Sequence, residues 1–331
     1  MSAGDNILLI RLKSIGDVLF VLPAVHVVRE NFPGSKISFL TSKENAALLE
    51  GFREVDEVIA LDRARFQGGN PRAILSEVFS LLRRLRRGKF SLVVDFQGYG
   101  ETAWLAWWTR AGERWGNVYQ PMRAWAYTRP LKLDRLVHPA EGNLRLLQQC
   151  GLNRGPVRNE FVLPESALDE ARRLLAASGF ETARPSLIIQ PFTSSPHKNW
   201  PLENYLKLAD HWRNHGVQVF FGGGPAEQAA LVPARQAGYP VFAGTPMLVS
   251  AGLMKCCTLI IGGDTGLLHA AIAMNKRLVM LMTREGAAKT HPFQHADWVI
   301  TAADREVCGI ELRTVIAACA RAFEELEVRG L

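Results

Sequence analysis

Asp264, Thr265 and Gly266 stand at the turn of "IIGGDTGLLHAA" (260–271), between an apolar run and a helical one. Glycines allow close backbone approach, and successive amides at a helix start form a nest for an anion. His269 falls one turn into that helix, where a packed histidine is commoner than a ligand. A second stretch, "QPFTSSPHKNWP" (190–201), offers Thr193, Ser194, Ser195 and Lys198. Hydroxyls that donate hydrogen bonds and one point charge suit a phosphate; the alternative is a polar loop with a surface lysine. A third, "FFGGGPAEQ" (220–228), places Gly223 and Gly224 where backbone can meet a ligand at a helix start. It lacks the Lys-Ser/Thr of a P-loop and is not a dinucleotide fingerprint. The fourth, "RLKSIGD" (11–17), makes a tight turn at Gly16 and starts a helix at Asp17. A carboxylate there is a helix cap or a base. Three anion-friendly turns in the C-terminal half and a lone carboxylate turn in the N-terminal half imply a division of labour. The second half would hold a nucleotide-like donor, and the first an acceptor and a base.

These turns need strands before them and helices after them, and the chain supplies both. "NILLIRL" (6–12), "KISFLT" (36–41), "EVIAL" (57–61) and "FSLVVDF" (90–96) read as buried parallel strands. Helices are expected from Asp17 through Phe32, with an irregular start around Pro23, and over 73–87. The alternation restarts with strands at 185–191, 217–224, 258–264 and 277–282 and a helix over 202–216 closed by Gly216. Between the halves, 153–185 is rich in Pro, Gly and charge, carries one helix from about 167 to 178, and reads as a linker and domain entry. The expected fold class is α/β: two doubly wound, Rossmann-like domains, 1–160 and 161–309, with ligands at the carboxyl ends of strands.

The composition fits. The chain has 331 residues, enough for two domains, with 48% hydrophobic residues to build cores. A formal charge of +7 favours nucleic acid, anionic lipid or a phosphorylated substrate, or serves only solubility. Five cysteines with no C-x-x-C argue against a disulfide framework or structural zinc and for a reducing compartment. The first residues hold too short an apolar run for a signal peptide, and no run is long enough to span a membrane. An NAD-dependent oxidoreductase is disfavoured by "KSIGD" in the first turn. The basic stretch "RRLRRGK" (83–89) leaves a nucleic-acid protein as a rival, without a reader motif.

The segments "ILLIRLKSIGDVLFVLPAVHVVRENFPGSKISFL", "FSLVVDFQGYGETAWLAWW", "PFTSSPHKNWPLENYLKLADHW" and "LIIGGDTGLLHAAIAM" resemble, along nearly the whole chain, the bacterial glycosyltransferase family 9 of ADP-heptose:lipopolysaccharide heptosyltransferases. The I-G-D, K-x-W-P and G-x-D-T-G-x-x-H motifs, in this order, carry the resemblance. It implies the GT-B architecture, two Rossmann-like domains facing across a cleft, with a C-terminal helix (about 310–331) able to pack back on the first. It implies an inverting, metal-independent transfer of heptose from ADP-heptose to a Kdo-lipid A or heptosyl acceptor, with no cofactor beyond the nucleotide sugar. Asp17 is then the catalytic base, and Thr193, Ser194, Lys198, Gly223, Gly224, Asp264, Thr265, Gly266, Leu267 and His269 line the donor site.

One in-line displacement needs a single base, and a lysine with helix amides can stabilise the leaving diphosphate. The chain has no D-x-D with which to grip a divalent ion. The segment 97–135 departs from the family: five of the eight tryptophans lie between 104 and 125, among Arg110, Arg114, Arg123, Arg129, Lys132 and Arg135. Such a mixture suits a sugar-phosphate head group at a lipid surface, or is a core helix with a solvated basic face. Lys13, Arg114, Arg123 and Arg129 are the expected acceptor contacts. The expected acceptor is a lipid-linked glycan and the expected location the cytoplasm, at the inner face of the inner membrane. Transfer of another nucleotide sugar, or a GT-B-shaped nucleotide-sugar epimerase, is the alternative.

Overall fold

The apolar runs become parallel strands, because a strand covered on both faces by helices is apolar along its whole length. The computed structural model describes residues 5–63, 71–132, 134 and 136–328, in two units, 1–160 and 161–331. The first unit holds β1 (Asn6–Ile10), β2 (Lys36–Ser42), β3 (Glu57–Leu61), β4 (Leu92–Asp95), β5 (Glu113–Val118) and β6 (Arg129–Lys132). Its helices are α1 (Ile15–Leu19), α2 (Leu22–Asn31), α3 (Lys43–Ala46), α4 (Pro71–Arg87), α5 (Gly100–Trp108) and α6 (Pro139–Gln149). The second holds β7 (Ser186–Gln190), β8 (Gln218–Gly223), β9 (Val241–Ala243), β10 (Leu259–Gly263), β11 (Leu278–Met282) and β12 (Val299–Thr301). Its helices are α7 (Glu165–Ala177), α8 (Leu202–Asn214), α9 (Val232–Gln236), α10 (Met247–Cys256), α11 (Gly266–Ala273), α12 (Arg284–Thr290) and α13 (Leu312–Val328).

The sheets run β3-β2-β1-β4-β5-β6 and β12-β11-β10-β7-β8-β9, parallel throughout. Each unit starts in mid-sheet, winds to one edge, then crosses back. The strand order therefore reverses between β1 and β4, and between β7 and β10. Helices diverge there and leave a crevice at the carboxyl ends, where ligands of such sheets bind.

Three expectations change. The helix predicted from Asp17 to Phe32 is two helices, broken at Phe20–Val21, with Pro23 in the first turn of α2 where its missing N–H costs nothing. The edge and near-edge strands β5, "ERWGNV", and β6, "RPLK", carry charge, Gly and Pro, so no strand signal marks them. The C-terminal helix, read as able to pack back on the first domain, clusters with the second unit. Val315, Ala318, Cys319 and Ala322 of α13 join Leu208 and Trp212 of α8 in that core. Arg277 Nε donates to Glu325 of α13 at 2.9 Å. An apolar face at helical spacing must be buried, and the outside of this sheet provides the partner.

Candidate active site

At the β7/β10 switch point, the turns after the two strands meet. Gly262 and Gly263 make this possible: a Cβ on Gly262 would stand 2.5 Å from the Gln190 carbonyl oxygen, and one on Gly263 2.5 Å from Thr193 Cγ2. Asp264 follows. Its Oδ2 accepts from Lys198 Nζ at 2.8 Å, and its Oδ1 lies 3.1 Å from His269 Nε2. Thr290 of α12 adds its hydroxyl at 3.5 Å. Burial pushes the Asp264 carboxyl up, but bonds to His269 and Lys198 outweigh it and hold the pKa at about 2. Thr265 caps α11, its hydroxyl accepting from the Leu268 amide at 3.4 Å. The amides of Gly266 and Leu267 lie in the first turn and have no intrahelical acceptor.

The turn carrying Lys198 is braced from within. The Thr193 amide donates to Asn199 Oδ1 at 2.8 Å, and its hydroxyl donates to the Ser195 carbonyl at 2.9 Å. Trp200, buried, donates to the Ile310 carbonyl at 2.8 Å and anchors the approach to α8. A lysine held by a carboxylate keeps further N–H donors, here beside open helix amides. That combination suits a diphosphate.

In the first unit, a second constellation occupies the β1/β4 switch point. Arg11 Nη2 lies 2.9 Å from Asp17 Oδ1, and the Ser14 amide donates to Asp17 Oδ2 at 3.0 Å. Arg11 is itself buried and donates through Nη1 to the Phe96 carbonyl at 2.7 Å. Gln97 Oε1 accepts from the amides of Leu12 (2.8 Å) and Lys13 (3.3 Å). The Lys13–Ser14 peptide is cis.

Beneath this loop sits Asp95, fully buried, which accepts from the Gln97 amide (2.8 Å), the Gly98 amide (3.0 Å) and the Tyr127 hydroxyl (2.7 Å). Burial raises the pKa of both Asp95 and Tyr127. Gly98 has φ +67°, and a Cβ there would stand 1.8 Å from the Asn117 carbonyl oxygen, so no other residue fits. Asp17 remains half-exposed; its Oδ2 also accepts from the Ser14 hydroxyl at 3.3 Å, so Oδ1 is the oxygen that keeps a lone pair for a further donor. α1 is a single turn, so the positive charge facing Asp17 comes from Arg11 more than from a helix dipole.

A family model described as glycosyltransferase family 9 (heptosyltransferase) matches residues 78–314. The chain belongs to glycosyltransferase family 9. It is 20% identical to the lipopolysaccharide core heptosyltransferase OpsX of Haemophilus influenzae, over 90% of this chain and 85% of that one. It superposes on a family 9 glycosyl transferase from Veillonella parvula with a TM-score of 0.87 and 21% identity, covering 98% and 99% of the two chains. For the E. coli ADP-heptose lps heptosyltransferase II the TM-score is 0.80, with 21% identity and coverage of 97% and 99%. As a family 9 member the protein is a glycosyltransferase, and its α/β fold of two Rossmann-like domains is that of these GT-B enzymes.

In this family 9 chain, the residues expected at the donor site do not all behave alike. Lys198, Asp264 and His269 form one hydrogen-bonded group. Thr265, Gly266 and half-buried Leu267 make the helix start beside it, while Thr193 and exposed Ser194 belong to the turn that carries Lys198. Gly223 and Gly224 differ from expectation. β8 runs on through Gly223, whose carbonyl accepts the Gly244 amide at 2.9 Å. Gly224 precedes only a single 3-10 turn, Pro225–Glu227, so pairing with β9 replaces the expected helix start.

Of the acceptor residues, Lys13 and Arg123 lie at the carboxyl edge of the first sheet. Lys13 Nζ is 6.0 Å from the Tyr99 ring centroid, and Arg123 donates to the Gly98 carbonyl at 3.1 Å. Arg114 and Arg129 do not lie there. They sit at the amino ends of β5 and β6, which in a parallel sheet is the edge opposite Asp17. Arg114 donates to the carbonyls of Ala126, at 2.9 Å, and Ala111. Arg129 donates to the Cys150 carbonyl at 3.0 Å and lies 3.4 Å from Glu113. Arg135 falls outside the described residues. Sequence reasoning missed Arg11, Gln97, Asn199 and Thr290. Arg11 and Gln97 carry one signal in common: a polar residue at the end of a run that reads as a buried strand needs a buried partner.

Proposed function

We propose that this glycosyltransferase moves a heptose from ADP-heptose onto a lipopolysaccharide core acceptor, Kdo-lipid A or its heptosylated form, with inversion and without a divalent ion. The observation that carries this is the Lys198–Asp264 pair beside the open amides of Gly266 and Leu267. The breaking bond joins the anomeric carbon to a diphosphate oxygen, and negative charge grows on that oxygen. Donors fixed before the reaction stabilise it without reorganising. Lys198 supplies a charge, α11 supplies amides, and Asp264 keeps the lysine in place. His269 fixes the other side of the carboxylate.

Asp17 serves as base: it takes the proton of the acceptor hydroxyl as that oxygen bonds to the anomeric carbon from the opposite face. Arg11 and the Ser14 amide orient it. Lys13 and Arg123 attract the acidic acceptor. The relatives' lipopolysaccharide activity supports a lipid-linked acceptor presented at the cytoplasmic face of the inner membrane. No helix among the described residues is long and apolar enough to cross a membrane.

The test is incubation with ADP-heptose and truncated core lipids, with and without EDTA, followed by mass and anomeric analysis of the product. A lipid heavier by one heptose, of inverted configuration and formed in EDTA, is the expected result. Transfer only from another nucleotide sugar, or epimerisation of the donor without transfer, would replace this assignment.

A further inference from the structure

We infer that the outer face of α4 and α5 docks on an anionic lipid bilayer. Leu75 and Phe79, one turn apart on α4, are 69% and 66% exposed. With Leu82 and Arg86 they follow a 4-3-4 spacing, so they form one stripe along the helix. The same helix buries Leu85 in the core, so its second apolar stripe is not needed to hold the fold.

Beside it, α5 presents Trp104 and Trp107, and the following 3-10 turn presents Trp125, 56% exposed, edge-on to Trp107 at 5.7 Å. Trp104 stacks on Trp108 at 5.3 Å, and Trp108 Nε1 donates to the Leu82 carbonyl at 3.1 Å, which locks the two helices together. A groove of about 330 Å³ lies between them, lined by Val78, Leu82, Trp104 and Leu105. An apolar surface of this extent on one face of a soluble unit marks a binding surface.

Charge decides what binds there. Exposed Arg83 and Arg87 run along the flank of the stripe, and Arg110 stands at the end of α5. None of the three has a carboxylate partner among the described residues. Arg86 lies over the Trp108 ring at 5.1 Å. Aromatic and leucine side chains ringed by arginine match a bilayer interface, where the rings enter the head-group region and guanidinium groups meet lipid phosphates. Nucleic acid offers nothing to Leu75 and Phe79. A second copy in a two-fold dimer would set one cationic patch against another.

The test of this docking face needs neither donor nor acceptor. The full chain is floated with vesicles of phosphatidylcholine alone or mixed with phosphatidylglycerol. Binding to the anionic vesicles only, lost at high salt and accompanied by a blue shift of tryptophan emission, is expected. Leu75→Ser with Phe79→Ser, and separately Arg83→Glu with Arg87→Glu, should each lower the partition about 10-fold or more at unchanged melting temperature. Equal binding to neutral vesicles, no binding to either, or self-association abolished by the serine pair would overturn the assignment.

Discussion

Lys198 Nζ and Asp264 Oδ2 are 2.8 Å apart although 66 positions separate them in the chain. They come from the turns after β7 and β10, adjacent strands at the point where the sheet order reverses. Asp264 thereby fixes a cation at the start of α11, which is where a diphosphate would lie.

Lys198→Ala removes that cation. One charge-assisted bond to a phosphate contributes about 1.5–3 kcal/mol, so ADP affinity or donor turnover should fall roughly 10- to 100-fold. Calorimetric titration with ADP measures the first and steady-state kinetics the second. Unaltered values in both would remove Lys198 from the donor site.

Asp264 also makes stability depend on pH. Its folded pKa of about 2 lies below the ordinary 3.8, so the unfolded chain takes up the proton first as acid is added. The stabilisation is complete above about pH 4 and is lost as the pH falls toward 2, about 2 kcal/mol in all. Glu57, held at about 2 mainly by Arg84, titrates in the same window. Denaturant melts of the parent and of Asp264→Asn from pH 5 to 2.5 separate the two: the parent should lose more stability than the variant. Parallel curves would mean that the carboxylate gains nothing from His269 and Lys198.

Asp17→Asn keeps an oxygen for the Ser14 amide, so folding should survive. Loss of a general base should lower kcat by about 10²–10⁴-fold, with ADP affinity unchanged if the nucleotide is held, as proposed, by Lys198 and the start of α11. A variant that melts normally and turns over within a few-fold of the parent would leave Asp17 as a structural partner of Arg11.

Arg123 and Arg129 should part company. Arg123 stands beside the Gly98 turn at the carboxyl edge, whereas Arg129 bonds Cys150 and Glu113 at the amino edge. Arg123→Ala is expected to raise the acceptor KM several-fold, and Arg129→Ala to leave it unchanged. The opposite ranking would put the acceptor on the other edge of the sheet.

Local sequence determined much of this protein. Central strands such as β1, β4, β7 and β10 are buried on both faces, so apolar runs with turns after them mark both the strand and the place to look for chemistry. Asp17, Lys198, Asp264 and the Gly266 helix start were legible for that reason.

Tertiary structure decided the rest. Charge is visible in a sequence, but the end of a strand that carries it is not: β5 and β6 hide their register behind Arg, Gly and Pro, so Arg114 and Arg129 look like acceptor contacts until the sheet is built. His269 looked like a packed residue and is one, yet its ring also meets Asp264, because a helix start brings positions 264 and 269 together. Arg11 sits inside an apolar run and pairs with Asp17 only because the β1 and β4 turns close on each other through Gln97. Pairings between turns depend on which strands lie side by side, a long-range property that the order of residues along the chain does not display.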